Sequence, residues 1–196
     1  MANYQPLNYV PLDDEVTFLR PPQILPDNVT ADSPATDVMT DFTKVAAITM
    51  GPCATLEAAE KRMIATGVRM LLVVDQANHI LGVVTLTDLQ GERPMLYLQE
   101  RGGGNRDEIF LRDIMTEQNK LQALEMKRVT MARVGDIIDT MKLAYRQHAI
   151  VVETDEEGKQ QVRGIFSTKQ ISAQLGLDYR AKDPMAIFAE LEAFLN

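Results

Sequence analysis

Two nine-residue stretches of this chain, GVVTLTDLQ at residues 82–90 and GIFSTKQIS at residues 164–172, share one pattern. Each begins with a glycine, continues with two apolar residues and a hydroxyl residue, and ends with a polar sequence that is typical of a helix start. The copies differ in chemistry where the first has Asp88 and the second has Gln170. Their similarity indicates that the chain contains an internal repeat.

Further matches extend this repeat towards the N-terminus of each copy. Residues 36–40 (TDVMT) recur as residues 112–116 (RDIMT), and residues 69–75 (RMLLVVD) recur as residues 147–153 (QHAIVVE). The spacing between matched residues grows from 76 at these openers to 82 at the glycines. We interpret this small growth as loop insertions between two copies of one unit of about 55 residues.

Both copies have the same predicted order of elements: strand, helix, strand, strand, helix. In copy one, Thr55 precedes apolar residues with helical spacing, and two apolar runs at residues 70–75 and 80–85 are separated by a polar turn. Copy two repeats this order and has a predicted helix at residues 132–146. A unit this small buries little apolar surface alone, so we predict an α+β fold in which the two β-α-β-β-α repeats pack against each other.

The same patterns divide the chain into five predicted segments. They are an extended N-terminal arm (1–35), repeat 1 (36–92), an inter-repeat linker (93–111), repeat 2 (112–176) and a C-terminal amphipathic helix (177–196). The arm is predicted to be extended because it holds six of the nine prolines. Asp183 and Pro184 in the last segment are typical of a helix start.

Composition and charge exclude several classes of function. A net charge of −8 argues against a broad nucleic-acid surface, and no apolar stretch is long enough for a membrane span. The single Cys53 cannot form an intramolecular disulfide, and the N-terminus has no apolar leader, so a cytoplasmic location is expected. With two histidines and one cysteine, no catalytic or metal-binding set is recognisable, so we expect neither a catalytic residue nor a metal site.

The DVMT and DIMT openers, the VVD strand end and the G-x-x-T-x-x-D ending together resemble a tandem pair of cystathionine beta-synthase (CBS) domains. The resemblance covers residues 36–176 in element order and spacing. It implies two repeats related by a pseudo-twofold axis, a homodimer, and a regulatory rather than catalytic role on an unidentified protein partner. It also implies a cleft between the repeats for AMP, ADP, ATP or S-adenosylmethionine as a regulatory ligand, with no required cofactor.

An adenosine site needs an apolar slot, a carboxylate for the ribose hydroxyls and donors for any phosphate. Asp88 is the candidate carboxylate, and Thr85 lies three residues earlier at the strand end. The resemblance implies a phosphate-side contact from His148 in the other repeat. It implies base-side contacts from two segments of repeat 1, comprising Ala46, Ala47, Ile48, Val68, Arg69 and Met70.

Each of these candidates has a purely structural alternative. Asp88 can act as a first-turn acid of a helix, His148 can be a packed histidine, and Arg69 can be a solvated charge at a strand end. In repeat 2, Ser167 and Gln170 have the spacing of a capping box, in which the glutamine side chain reaches back to the cap N–H. Since this copy lacks a ribose-binding carboxylate, we predict one competent and one degenerate site per chain.

Two further functions remain open at this stage. A ligand-free dimerisation or scaffold module could act through its C-terminal helix, and an enzyme could assemble its active site from residues that are distant in the sequence. The first interpretation remains a regulatory module that binds an adenosine-containing ligand.

Overall fold

The computed structural model describes residues 25–177 and, near the C-terminus, residues 187, 189–191 and 193. Residues 1–24 of the predicted arm and residues 178–186 of the predicted C-terminal segment lie outside the described residues. Residues 187, 189–191 and 193 are helical. Within the described part of the chain, no helix has the length and apolar character needed to cross a membrane.

The described elements follow the predicted order of the two repeats. Repeat 1 and the linker contain β1 (Thr40–Asp41), β2 (Thr49–Met50), α1 (Leu56–Thr66), β3 (Met70–Val74), β4 (Ile80–Thr85), α2 (Leu86–Gln90) and α3 (Arg93–Glu100). Repeat 2 contains α4 (Leu111–Ile114), β5 (Thr116–Glu117), β6 (Ala123–Glu125), α5 (Met126–Val129), α6 (Val134–Leu143), β7 (His148–Thr154), β8 (Gln160–Ser167) and α7 (Thr168–Gln174). Short 3₁₀ helices lie at Ala35–Val38, Arg106–Glu108 and Gln118–Lys120. The fold is therefore α+β with a duplicated unit.

Several helix starts in this fold are fixed by hydrogen bonds between a side chain and a backbone N–H of the first turn. The Thr55 hydroxyl accepts a hydrogen bond of 3.2 Å from the Ala58 N–H at the start of α1. At the start of α6, the Asp136 carboxylate accepts a hydrogen bond of 2.8 Å from the Arg133 N–H. Such contacts satisfy backbone donors that have no partner inside the helix, which explains why the helices begin where they do.

The described residues form two four-stranded sheets, and each sheet contains three strands of one repeat and one strand of the other. One sheet has the order β1-β8-β7-β6 and the other has the order β2-β3-β4-β5. Thr40 of β1 pairs with Ile165 of β8, and Thr116 of β5 pairs with Val83 of β4. The opener of each repeat is thus a strand in the sheet of its partner repeat, an exchange that the sequence analysis did not predict.

Apolar residues form a core inside each repeat and a third cluster between the repeats. The third cluster holds Met70, Leu72, Val74 and Val83 from repeat 1, and Ile150 and Val152 from repeat 2. These side chains come from β3, β4 and β7, so the two sheets pack face to face across the repeat boundary. The predicted packing of one repeat on the other is confirmed, and the clefts beside this cluster are walled by both repeats.

The chain on either side of the two repeats packs against repeat 2. The Gln174 amide nitrogen donates to the carbonyl oxygens of Pro26 at 3.0 Å and Asp37 at 2.8 Å. Ile187 and Leu191 of the C-terminal helical residues are buried in the repeat 2 core. Both ends of the described chain therefore contribute to the stability of this repeat.

A buried ion pair strengthens one of the two strand exchanges. Arg163 of β8 donates to the Asp41 carboxylate of β1 at 3.0 Å, and the Asp41 side chain is only 7% exposed. Burial raises the pKa of the Asp41 carboxyl, but hydrogen bonds from Thr43 and the charge of Arg163 outweigh it, so the pKa lies below its ordinary value. The pair joins residues that are far apart in the sequence.

We expect Arg163→Met to lower the free energy of unfolding by about 1.5 kcal/mol, because it leaves the buried Asp41 carboxylate without its guanidinium partner. Urea unfolding monitored by circular dichroism measures this change. Arg133→Met is the control, because it removes an exposed ion pair with Asp32 and should change stability by less than about 0.5 kcal/mol. Equal losses in the two variants would contradict a stabilising role for the buried pair.

Candidate functional site

A cleft between the repeats, cleft 1, brings the end of β4 and the start of α2 to face repeat 2. It has a volume of about 350 Å³. Its polar lining comprises Thr85, Thr87, Asp88, Arg93, Thr116, Gln122, Tyr145, Arg146, Gln147 and His148. Its apolar lining comprises Met70, Val83, Leu121 and Ile150. The cleft thus combines an apolar floor with polar and charged groups of both signs, as small-molecule sites do.

Asp88 lies at the edge of cleft 1, where it takes part in the first turn of α2. One of its oxygens, Oδ2, accepts from the Thr85 N–H at 2.8 Å and from the Thr85 hydroxyl at 2.7 Å. The Thr85 hydroxyl in turn accepts from the Asp88 N–H at 3.2 Å. This is a reciprocal capping box, so the structural alternative for Asp88 is correct as far as the helix start is concerned.

The second oxygen of Asp88 faces an arginine that sequence reasoning missed. Arg93 Nε lies 3.1 Å from Asp88 Oδ1. The same guanidinium donates to the Ile114 carbonyl oxygen at 2.9 Å and to the Thr116 hydroxyl at 3.1 Å. A carboxylate offers about four acceptor positions, and three are in use here. Asp88 can accept one more hydrogen bond at once, and a second only if Arg93 or the Thr85 hydroxyl turns away.

The opposite wall of cleft 1 is the connection between α6 and β7 in repeat 2. Tyr145, Arg146 and Gln147 line the cleft from this connection. The side chains of Thr87 and Gln147 lie 3.5 Å apart, so residues of the two repeats approach each other at this point of the cleft. No sequence motif identifies this connection as part of a site. Its position in the repeat alignment does, since Gln147 matches Arg69.

His148 begins β7 and lines both cleft 1 and the second cleft described below. Burial, together with the nearby charge of Arg69, lowers the pKa of this imidazole to about 4. His148 is therefore neutral at physiological pH and offers a neutral donor or acceptor to a ligand. It lies between the repeats, where the resemblance places it, and forms part of a wall that both clefts share.

Cleft 2, with a volume of about 310 Å³, is the pseudo-symmetric counterpart of cleft 1. Its walls come from the α1–β3 connection of repeat 1 and from Ser167, Lys169 and Gln170 at the start of α7. The Ser167 hydroxyl accepts from the Gln170 N–H at 3.1 Å, but the Gln170 side chain donates to Gln174 at 3.0 Å. The predicted reciprocal box is therefore wrong in one half, because α7 offers Gln170 a partner one turn further along.

Eight of the nine predicted site residues line one or both of these two clefts. Thr85 and Asp88 line cleft 1, while Met70 and His148 line both clefts. The remaining five predicted residues do not line cleft 1 with Asp88. Ala46, Ile48, Val68 and Arg69 line cleft 2, and Ala47 packs against the cluster between the repeats.

The pseudo-twofold axis explains this division. The helix start of one repeat faces the helix–strand connection of the other repeat, so Asp88 faces residues 145–148 and Gln170 faces residues 66–69. The resemblance implies a base-side wall in the same repeat as Asp88. In the structure, the wall opposite Asp88 consists of Leu121, Gln122 and the residues of the α6–β7 connection.

Two α+β repeats that exchange strands and enclose clefts at their interface define the class of this protein. The family model of the CBS domain matches residues 35–93. A comparison with curated protein sequences gives no match. Residues 35–93 thus match the CBS domain, and the duplicated fold around them is similar to that of a tandem CBS-domain pair.

Three solved structures illustrate this likeness. An uncharacterized conserved protein from Pyrococcus horikoshii has a TM-score of 0.53 and 18% identity, covering 78% of this chain and 99% of its own. The CBS-domain pair of protein MJ0100, in complex with 5′-methylthioadenosine and S-adenosyl-L-methionine, has a TM-score of 0.50 and 18% identity, covering 74% and 96%. The CBS-domain protein ATU1752 from Agrobacterium tumefaciens has a TM-score of 0.50 and 17% identity, covering 74% and 94%. At these identities the likeness shows the fold alone.

Proposed function

We propose that this chain is a non-catalytic regulatory module that binds one adenosine-containing ligand in cleft 1 and passes its occupancy to a protein partner. The observation that carries the proposal is the Asp88 carboxylate at the edge of an inter-repeat cleft, with its side chain 13% exposed. The fold likeness to a CBS-domain pair bound to 5′-methylthioadenosine and S-adenosyl-L-methionine supports this class of ligand.

The chemistry of cleft 1 suits the parts of such a ligand. The Asp88 carboxylate can accept hydrogen bonds from ribose hydroxyls. Such hydrogen bonds are stronger than those to a neutral acceptor because the carboxylate is charged. The apolar side chains of Met70, Val83 and Ile150 offer a surface for the base. Arg146 and Arg93 bring positive charge to the same cleft for an anionic group. Each part of an adenosine ligand therefore has a complementary group.

One site per chain follows from the contrast between the two clefts. At the position of Asp88, cleft 2 has Gln170, whose amide nitrogen is already engaged with Gln174 at 3.0 Å. A neutral amide oxygen accepts more weakly than a carboxylate and does not favour two hydroxyl donors at once. We therefore expect a stoichiometry of one ligand per chain.

Arg93 gives the ligand a way to alter the rest of the protein. A ribose that takes Asp88 Oδ1 competes with Arg93, which also holds Ile114 and Thr116 at the start of repeat 2. Any ligand that prefers the state with Arg93 released shifts the population towards it. The contact between α3 and β5 is then the element that reports the occupancy of cleft 1 to a protein partner. We expect this chain to act on that partner as a homodimer.

The experiment compares Asp88→Ala with Asp136→Ala by isothermal titration calorimetry, using 5′-methylthioadenosine, S-adenosylmethionine, AMP, ADP and ATP. Both aspartates accept a hydrogen bond of 2.8 Å from the N–H at a helix start, but the residues that line cleft 1 do not include Asp136. Both variants should lose about 1 kcal/mol of stability. Only Asp88→Ala should weaken binding, on the order of tenfold to a hundredfold. Undiminished binding by Asp88→Ala would contradict the site.

The scaffold alternative has less support. It needs an apolar face of the C-terminal helix for a partner, yet Ile187 and Leu191 are buried against repeat 2. This packing occupies two of the apolar positions that the alternative requires.

A further inference from the structure

Tyr145 has a backbone conformation that its residue type disfavours. Its φ is 51°, and the equivalent residue at the end of α1 is Gly67, with a φ of 70°. The surrounding hydrogen bonds match closely: Tyr145 and Arg146 N–H groups donate to Lys142 and Met141, as the corresponding groups of repeat 1 do to Ile64 and Met63. The backbone therefore has a glycine conformation in both repeats, but repeat 2 carries an aromatic side chain there.

Within the described part of the chain, the Tyr145 ring has no packing role that would explain this choice. The residue is 74% exposed, whereas the core of repeat 2 is complete without it. Residues held in a disfavoured backbone region cluster at active sites, ligand clamps and switch regions. The exposed Tyr145 ring is therefore available for contact with a bound molecule.

Tyr145 also lines cleft 1, on the wall that faces Asp88. The side chains of Thr87 and Gln147, which line these two walls, lie 3.5 Å apart. A ligand whose ribose contacts Asp88 extends towards repeat 2, where an exposed aromatic ring borders the cleft. The equivalent position at cleft 2 is glycine, which offers no ring.

We propose that Tyr145 is a base-stacking residue of cleft 1, whose ring covers one face of the purine of the bound ligand. Aromatic rings stack on purines because both have extended apolar faces, and the contact is formed only in the complex. This inference rests on the proposed function and deepens it, because it names a specificity-determining residue for that ligand. It also gives a second reason for one ligand per chain, since cleft 2 has neutral Gln170 at the position of Asp88 and Gly67 at the position of Tyr145.

The test compares the wild-type protein with Tyr145→Gly and Tyr145→Phe by titration calorimetry with 5′-methylthioadenosine. Tyr145→Gly reproduces the residue of repeat 1, so it should fold with a Tm no lower than that of the wild type. Its affinity should fall on the order of tenfold. Tyr145→Phe keeps the ring and should bind within about twofold of the wild type.

Tyrosine fluorescence supplies a readout that a structural role would not change. The chain has five tyrosines and no tryptophan. Ligand should quench part of this emission in the wild type, and Tyr145→Phe should lose that quenching while it still binds.

Each outcome distinguishes this inference from the proposed function. If Tyr145→Gly binds like the wild type while Asp88→Ala is weakened, the stacking inference is wrong and the proposed function stands. If Tyr145→Phe is weakened as much as Tyr145→Gly, the ring face is not the contact, and the inference is again wrong. If the wild type binds none of the adenosine ligands, both are wrong.

Discussion

Replacing Gly164 with alanine is expected to lower the free energy of unfolding by about 3 kcal/mol. Gly164 pairs with Asp41 where the opener strand β1 crosses into the sheet of repeat 2. A Cβ at this position would overlap with the backbone carbonyl oxygen of Thr40. The neighbour is backbone rather than a flexible side chain, so the strand pair must separate to make room.

The equivalent substitution in repeat 1, Gly82→Ala, should have an effect of similar size. There the added Cβ would overlap with the carbonyl oxygen of Thr116, which belongs to the opener of repeat 2. Gly51→Ala is the matched control, because no atom lies within 4 Å of its added Cβ. Urea unfolding should show little change for the control. A stable Gly82→Ala or Gly164→Ala variant would show that the openers are not tightly paired at these positions.

These glycines show how much of the fold can be predicted from the sequence. The order of strands and helices follows from local patterns, which is why α1, α6, β3 and β7 were predicted at nearly the observed positions. The exchange of β1 and β5 was not predicted, because two-residue strands have no periodicity of their own. A glycine inside an apolar strand was the available signal, since it marks a close approach of another backbone.

The candidate site was predicted in part for a similar reason. Thr85, Asp88 and His148 line cleft 1, because the repeated G-x-x-T-x-x-D pattern and its register locate them. Tyr145 and Arg93 were missed. The first requires the backbone angle at the end of α6 and the second requires the position of α3, and neither is visible in a local pattern. The pseudo-twofold axis determines which residues face Asp88. The sequence pattern of a single repeat therefore does not reveal them.

Lowering the pH from about 7.5 to about 4.5 is expected to cost about 2 kcal/mol of stability through His148 alone. The imidazole has a pKa of about 4 in the folded protein, against an ordinary value of 6.5 in the unfolded chain. Between these values the unfolded chain binds a proton that the folded protein does not, so stability falls as the pH falls. This loss of stability is smaller than the full pKa difference would give, because His148 is only half-buried and keeps partial contact with solvent.

His148→Met tests this origin, because Met70 is the equivalent residue at the start of β3. Urea unfolding of the wild type should show a steady loss of stability between about pH 6.5 and about pH 4.5, and the variant should lose much less. His79→Asn is the control for the other histidine, which is exposed beside Asp75, and it should change stability by less than about 0.5 kcal/mol. The buried Asp41 carboxylate has a lowered pKa and therefore loses its contribution only below about pH 4, outside this window. A His148→Met profile that matches the wild type would place the titrating group elsewhere in the chain.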